Sequence, residues 1–434
     1  MKTAAFHTLG CKVNTYDTES MMELFEKAGY EIVDFEEQAD VYIINTCTVT
    51  NVGDRKSRQM IRKAKRVSPQ AIVAVTGCYA QTSPEDLKKI PEVNIIIGNQ
   101  DRSRIVQLVE EKKISGHNID IVQDIMKTKK YEELKISKVK DHGRAFIKVQ
   151  EGCNNFCSYC IIPYARGPVR SRSIENILEE GRQIATQGYK EIVITGINVS
   201  SYGRELEGVT LIDVLKGLNE IEGIERIRLG SLEPMLLDEE FIMGLEDINK
   251  LCDHFHLSLQ SGSDEILKKM NRKYDTKMYK TIIDNIRKVF PRASLTTDIM
   301  VGFPGESHEN FRESYEFIDQ IGFSKLHVFK YSKRQGTPAS KMVDQIPESI
   351  KEERSKEIIG LSDKLEKNYY KQFLGKKMAV LIEQSSKEDY NIYQGHTTNY
   401  ILVKIQGNKN MINQTIPVEI KEIHTGFVNG IHKE

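Results

Sequence analysis

The sequence predicts an α/β protein in three parts: an N-terminal open parallel α/β unit, a central partial β/α barrel and a small C-terminal antiparallel β-barrel. Over residues 1–112, and again over 141–369, short β-branched runs alternate with amphipathic stretches, the spacing of parallel strands covered by helices. Over residues 370–434 the runs are short, separated by Gly, Asn or polar turns, and lack a helical period, which fits a small all-β barrel. Residues 113–140 are charged and weakly periodic and read as a connector with room for one strand.

In the first part, "KTAAFHTLGC" leads into "TYDTESMMELFEKAGY", "ADVYIINTCTV" into a charged helix, and "QAIVAVTGCYA" into "SPEDLKKI", with "NIIIG" following. Cys11, Cys47 and Cys78 each follow one of the first three strands. Parallel strands bring their carboxyl ends to one sheet edge, so residues scattered along the chain can converge there. Small buried thiols are the ordinary alternative for any one of them.

The second part offers six strands, in "RAFIKVQ", "KEIVITGIN", "RIRLGSL", "HFHLSLQSG", "SLTTDIMVGFPG" and "KLHVFKYS". The chemistry of such a barrel sits at the C-terminal ends of its strands. After the first strand comes "EGCNNFCSYCIIP", with Cys153, Cys157 and Cys160 at a C-x3-C-x2-C spacing. Three thiolates on a cubic iron–sulfur cluster leave one iron without a protein ligand, a position open to a small molecule. A structural zinc site is the alternative and needs a fourth nearby Cys or His, which the loop lacks. Cys252 reads as a packed thiol without a cysteine partner. His254 and His256, two apart on a strand, share one face and read as hydrogen-bonded lining rather than ligands.

Composition narrows the rest. Lys+Arg and Asp+Glu both total 62 in 434 residues, so any nucleic-acid surface must come from local clustering. Arg55 to Arg66 holds seven cations and no acid, with Arg55, Arg58, Arg62 and Arg66 set to face phosphates; Arg166, Arg170 and Arg172 beside Tyr164 form a second candidate RNA contact. Seven cysteines are too few for a disulfide scaffold and suit a reducing compartment. "MKTAAFHTLGCKVN" lacks a signal-peptide core and no apolar run reaches the length of a membrane span, so a cytoplasmic protein without a membrane partner is expected.

The cysteine loop after the first barrel strand resembles that of the radical S-adenosylmethionine (SAM) enzymes. The resemblance implies a [4Fe–4S] cluster on Cys153, Cys157 and Cys160 whose open iron chelates the amino and carboxyl groups of SAM and cleaves it to a 5′-deoxyadenosyl radical. It also implies SAM contacts at Thr195, Gly196 and Asn198, at Ser231 and Glu233, at Gln260 and Asp298, and at Arg272, with Gly302 and Gly305 beside the adenine. The strings "LGCKVNTYDTE", "NTCTVT", "TGCY", "EGCNNFCSYCIIPYARGPVRSR", "GINVSSYG", "SLQSGSD" and "GFPGE" together resemble the methylthiotransferases. That resemblance implies a second, auxiliary [4Fe–4S] cluster on Cys11, Cys47 and Cys78, so that all six cysteines are catalytic, and an RNA-binding C-terminal TRAM domain.

"GCKVN" with "IIPYARGPVRSR" is most similar to the branch acting on N6-threonylcarbamoyladenosine at position 37 of tRNA, where a methylthio group is added at C2; the isopentenyladenosine branch usually carries "CQMN" there. The implied partners are a tRNA anticodon loop and an electron donor such as flavodoxin or ferredoxin. Isopentenyladenosine-37 is the rival substrate, and a non-catalytic iron–sulfur RNA-binding or redox protein is the rival from another class.

Overall fold

The structure, a computed structural model, describes residues 2–136, 143–386 and 389–432, so the last residues of the expected connector, 137–140, lie outside it. The first sheet is built from β1 (Lys2–Thr8), helix α1 (Lys12–Lys27), β2 (Tyr30–Val33), β3 (Val41–Thr46), α2 (Asn51–Val67), β4 (Ile72–Gly77), α3 (Cys78–Thr82), β5 (Ile95–Ile96) and β6 (Ile119–Asp120). Its order is β2-β1-β3-β4-β5-β6, every pair parallel. All six residues of β3 are buried, as a strand covered on both faces requires. β2 has no counterpart in the sequence reading: it is a half-exposed edge strand of four residues, too short for the apolar pattern to reveal it. Helix Ile105–Ser115 continues past residue 112 to a left-handed Gly116 (φ 71°), and β6 then joins the sheet, so this layer reaches into the segment read as connector.

The second layer comprises β7 (Ala145–Glu151), β8 (Arg170–Ser171), β9 (Glu191–Gly196), β10 (Arg226–Leu229), β11 (Ser231–Leu232), β12 (His254–Leu257), β13 (Ser294–Val301) and β14 (Lys325–Lys330). The orders β10-β9-β7-β8 and β11-β12-β13-β14 join through a parallel bridge between Ile227 and Leu251. The six strands expected from the sequence are therefore present as an open, partial barrel. Side chains alternate along the strands, with one register irregularity between Lys148 and Gln150. Ile147, Val149, Ile192, Ile194, Ile227 and Phe255 belong to the core shared with the outer helices. The residues between them, Lys148, Thr195, Arg228, His256 and Asp298 among them, consequently line the inner face.

A 24-residue helix, Glu348–Lys371, leads to the last layer. There β15 (Lys377–Ser385), β16 (Ile392–Thr397), β17 (Leu402–Gln406), β18 (Thr415–His424) and β19 (Phe427–Ile431) close a barrel in the order β15-β16-β17-β19-β18. The pairs are antiparallel as expected, except that β17 and β19 run parallel. Two buried arginines of β10 dock it. Arg226 donates to the carbonyls of His396 (2.8 Å) and Ala379 (3.0 Å), and Arg228 to those of Thr398 (2.8 Å) and Thr397 (3.1 Å). Glu191 pairs with Arg228 at 2.6 Å, so the buried charge is not left alone.

Candidate functional site

The first three cysteines converge. Cys11 leads into α1, Cys47 follows β3 and Cys78 opens α3. Gly10 (φ 112°) makes this possible, because a Cβ there would stand 3.0 Å from the Cys47 Cβ and 3.2 Å from its Sγ. Burial pushes the Cys47 thiol up to about 11, with Cys78 and Cys11 adding to the rise, and burial likewise raises Cys11. Arg166 Nε donates to the Cys78 Sγ at 3.2 Å, and Asn99 lies 3.7 Å from the same sulfur.

The second three sit in the loop after β7. The loop is tied down by its backbone: Cys153 N–H donates to Gly167 O (3.0 Å), Cys160 N–H to Cys157 O (2.9 Å) and Ser158 N–H to Met270 O (2.9 Å). Side-chain N–H groups aim at the sulfurs, Arg272 at Cys157 Sγ (3.2 Å) and Asn198 at Cys153 Sγ (3.9 Å). Burial and the neighbouring Cys157 push Cys160 up to about 12. Among the described residues no three His, Cys, Asp or Glu side chains are gathered to hold a single metal ion. Three thiols without a fourth donor, bearing hydrogen bonds to sulfur, fit a cubic cluster with one open iron better than a tetrahedral zinc site. Because burial disfavours their thiolates, iron cations are what would hold these sulfurs charged.

The two sets share a wall. The helical turn Ile162–Arg166 runs from the second set to Arg166, whose guanidinium reaches the first. Arg166 also pairs with Asp17 (2.9 Å) and Glu151 (3.0 Å) and donates to Asn14. Lys148 joins Asp17 (2.5 Å) and Glu151 (3.0 Å), and Arg102 joins Asp17 and Glu132. Sequence reading missed this buried network between the layers. Its trace was the charged Lys148 and Glu151 inside an otherwise apolar strand.

The expected RNA contacts divide. Arg55, Arg62 and Arg66 are exposed on α2, whose other side buries Ser57, Ile61 and Ala64. Arg58 is half-buried and bonds Tyr79 Oη at 3.0 Å. Arg166, Arg170 and Arg172 are a correction: all three are buried, at 0, 2 and 0 % exposure. Their charges are spent inside the protein. Arg170 donates to Pro168 O (2.8 Å) and Arg166 O (3.0 Å), and Arg172 pairs with Glu133 (2.9 Å) and Glu180. Tyr164 remains exposed and lines a cleft of about 800 Å³ with Arg58, Tyr79, Met126 and Arg334.

Of the expected SAM contacts, Glu233 and Arg272 lie beside Cys157 but bond each other at 2.8 Å, so the arginine fork is occupied within the protein. Thr195 and Asn198 are buried at the end of β9, with Asn198 N–H donating to Gln150 Oε1 (2.8 Å), and Gly196 is half-buried there. Gln260 takes a left-handed backbone (φ 71°), its N–H bonded to Asp298 O (2.9 Å). Asp298 faces His256 at 3.4 Å. Ser231 is exposed. Gly302 (φ 69°) packs against Lys351 and Gly305 (φ 76°) against Lys269, so neighbouring side chains already account for their lack of Cβ. His254 and His256 both bond Thr296 Oγ1, at 3.1 and 3.0 Å, and Cys252 is a fully buried thiol, both as read from the sequence.

Residues 3–98 match the family described as Uncharacterized protein family UPF0004, and residues 147–318 match the Radical SAM superfamily. The chain is 46% identical over 97% of its length, and 94% of the relative's, to the threonylcarbamoyladenosine tRNA methylthiotransferase MtaB of Bacillus subtilis. It is 42% identical to the MtaB of Aquifex aeolicus, over 93% of this chain and 97% of that one. A tRNA-2-methylthio-N(6)-dimethylallyladenosine synthase of Clostridium botulinum is 38% identical over 98% of this chain and 95% of its own. In fold the chain is similar to TsrM, a radical S-adenosylmethionine methyltransferase from Kitasatospora setae solved with cobalamin and a [4Fe-4S] cluster, at a TM-score of 0.58, 15% identity, and coverage of 78% of this chain and 77% of that one. Among the described residues no helix is long and apolar enough to cross a membrane.

Proposed function

We propose, since the chain belongs to the tRNA methylthiotransferase family of radical SAM enzymes, that it adds a methylthio group to C2 of N6-threonylcarbamoyladenosine at position 37 of tRNA. The observation that carries the reading is the shared wall: Arg166, six residues after Cys160, bonds the sulfur of Cys78. Sulfur insertion at an aromatic carbon needs a radical generator and a sulfur donor held within reach of one base, and two three-thiol sites on either side of one arginine supply that arrangement.

Cys153, Cys157 and Cys160 would hold the SAM-binding [4Fe–4S] cluster, and Cys11, Cys47 and Cys78 the auxiliary one. When bound, these groups supply reductive cleavage of SAM and the sulfur that is transferred. The protein's own residues position and shield. Arg272 and Asn198 donate to ligand sulfurs, and the Asp17–Glu151–Arg166 network locks the two layers in register. The C-terminal barrel and the exposed arginines of α2 are proposed to grip the RNA, and a low-potential donor such as flavodoxin or ferredoxin to deliver the electron. The higher identity to the threonylcarbamoyl enzymes than to the dimethylallyl enzyme favours the first substrate.

The test is nucleoside mass spectrometry of tRNA from cells with and without this gene, joined to reconstitution of a Cys47→Ala variant. Loss of the methylthio form of the threonylcarbamoyl nucleoside in the deletion supports the reading. The variant should still form 5′-deoxyadenosine while making no thiolated RNA; thiolated product from Cys47→Ala would overturn the cluster assignment.

A further inference from the structure

Among the described residues, four cations facing the inner side of the partial barrel have carboxylate partners. Arg144 pairs with Glu383 at 3.4 Å, Arg228 with Glu191 at 2.6 Å, Lys148 with Glu151 at 3.0 Å, and Arg272 with Glu233 at 2.8 Å. Lys12 has no carboxylate partner and no hydrogen bond among the described residues. Its ammonium stands 6.0 Å from the ring of Phe146 on β7. Tyr400 and Glu191 favour its charge and Arg144 and Arg228 oppose it, and the charge in turn reaches His254 of β12 and His327 of β14. The residue is exposed to solvent, while the protein atoms around the ammonium still lower its pKa by desolvation. A cation held in that position with no carboxylate in contact can meet an anion brought by a ligand.

Lys12 follows Cys11 directly, so it stands beside the site from which sulfur must reach C2 of the base. In adenine, C2 and the carbon bearing N6 flank the same ring nitrogen, so a substituent on N6 hangs beside the carbon that is thiolated. In the threonylcarbamoyl group the amino acid is attached through its amino nitrogen, which leaves its α-carboxylate free and negatively charged. A dimethylallyl group in the same place is a neutral hydrocarbon.

We propose that Lys12 determines specificity, its ammonium pairing with the free carboxylate of the threonylcarbamoyl substituent and so selecting the anionic base over neutral N6-substituted ones. This assignment rests on the functional reading above. The carboxylate would give Lys12 the contact partner it lacks among the described residues, and a neutral substituent would leave the ammonium without one.

The experiment uses the reconstituted full-length enzyme with anticodon stem–loop RNAs carrying threonylcarbamoyladenosine, its methyl ester, or dimethylallyladenosine, and reads kcat and KM for methylthio product. Wild type should prefer the acid over the ester by about 10- to 100-fold in kcat/KM, the effect of a charge-assisted hydrogen bond. Lys12→Gln should bring acid and ester to within about twofold, with the loss falling on KM, and Lys12→Arg should keep most of the preference. If Lys12→Gln does not hold its clusters, the acid-to-ester ratio of the wild type decides. Equal turnover of acid and ester by wild type, or an undiminished preference in a correctly loaded Lys12→Gln, overturns the assignment and leaves the functional reading standing. Turnover of the dimethylallyl RNA alone overturns both.

Discussion

Asp17 lies fully buried under three cations. Burial opposes its charge, but Arg102, Lys148 and Arg166 outweigh it and hold the carboxyl below its usual range. Removing the charge would leave three buried cations facing only Glu151 and Glu132, so Asp17→Asn should cost about 3–5 kcal/mol, read as a lower midpoint in urea. The sign with pH follows from the depressed value. The contribution is complete above the unfolded carboxylate value, ~3.9, and is lost as pH falls through the lower folded value. Wild type should therefore lose stability from about pH 4 downward in a step that Asp17→Asn lacks; superimposable acid profiles would contradict this. At this scale the placement of Cys11, Cys47 and Cys78 at strand ends was legible, because three thiols at equivalent positions are a rarer signal than any one of them. Arg166, Arg170 and Arg172 were not, because a run of arginines beside a tyrosine reads the same whether it meets phosphate or a carboxylate on another element. The partners that bury Arg166 lie on α1 and at the end of β7, and only the fold brings them together.

Helix α2 shows how far one element can be read. Its Ser57, Ile61, Ala64 spacing fixes which side is inward, and the cations fall on the rest. Lys63 is drawn to Glu36 and Lys65 to Ala71 O, which leaves Arg55, Arg62 and Arg66 exposed and without a partner among the described residues, as the proposed RNA contact requires. Reversing Arg62 and Arg66 to Glu should weaken tRNA binding and lower the slope of log K against log salt by about 1.5, two phosphate contacts at roughly 0.7–0.9 each. An unchanged slope would remove this face from the footprint. The barrel strands were equally plain, since alternation of apolar and polar residues over four to eight positions is a strong signal. The strand allowed for in residues 113–140 is the two-residue β6, whereas the four-residue edge strand β2 is too short for a pattern to register, and tertiary pairing makes it a strand.

Over the whole molecule, three layers are tied by buried charge rather than by a continuous apolar core. Arg228 bonds two carbonyls of the C-terminal barrel while held by Glu191, and its guanidinium lies 4.7 Å from the ring of Tyr400. Replacing it with Met should cost about 3 kcal/mol and let the C-terminal barrel melt in a separate, earlier calorimetric transition; a single unshifted transition would mean that the barrel is held by other contacts. Such interlayer contacts were beyond reach from sequence, because nothing local marks which carbonyl an arginine will find. The central claim is that six thiols in two groups of three each cradle a cluster with one iron left open. Iron, sulfide and Mössbauer analysis of anaerobically prepared protein tests it most directly. On the order of eight irons per chain are predicted for the intact protein, and about four when either Cys11, Cys47 and Cys78 or Cys153, Cys157 and Cys160 are changed to Ala. Zinc in either site, or a single fully occupied cluster per chain, would contradict the account.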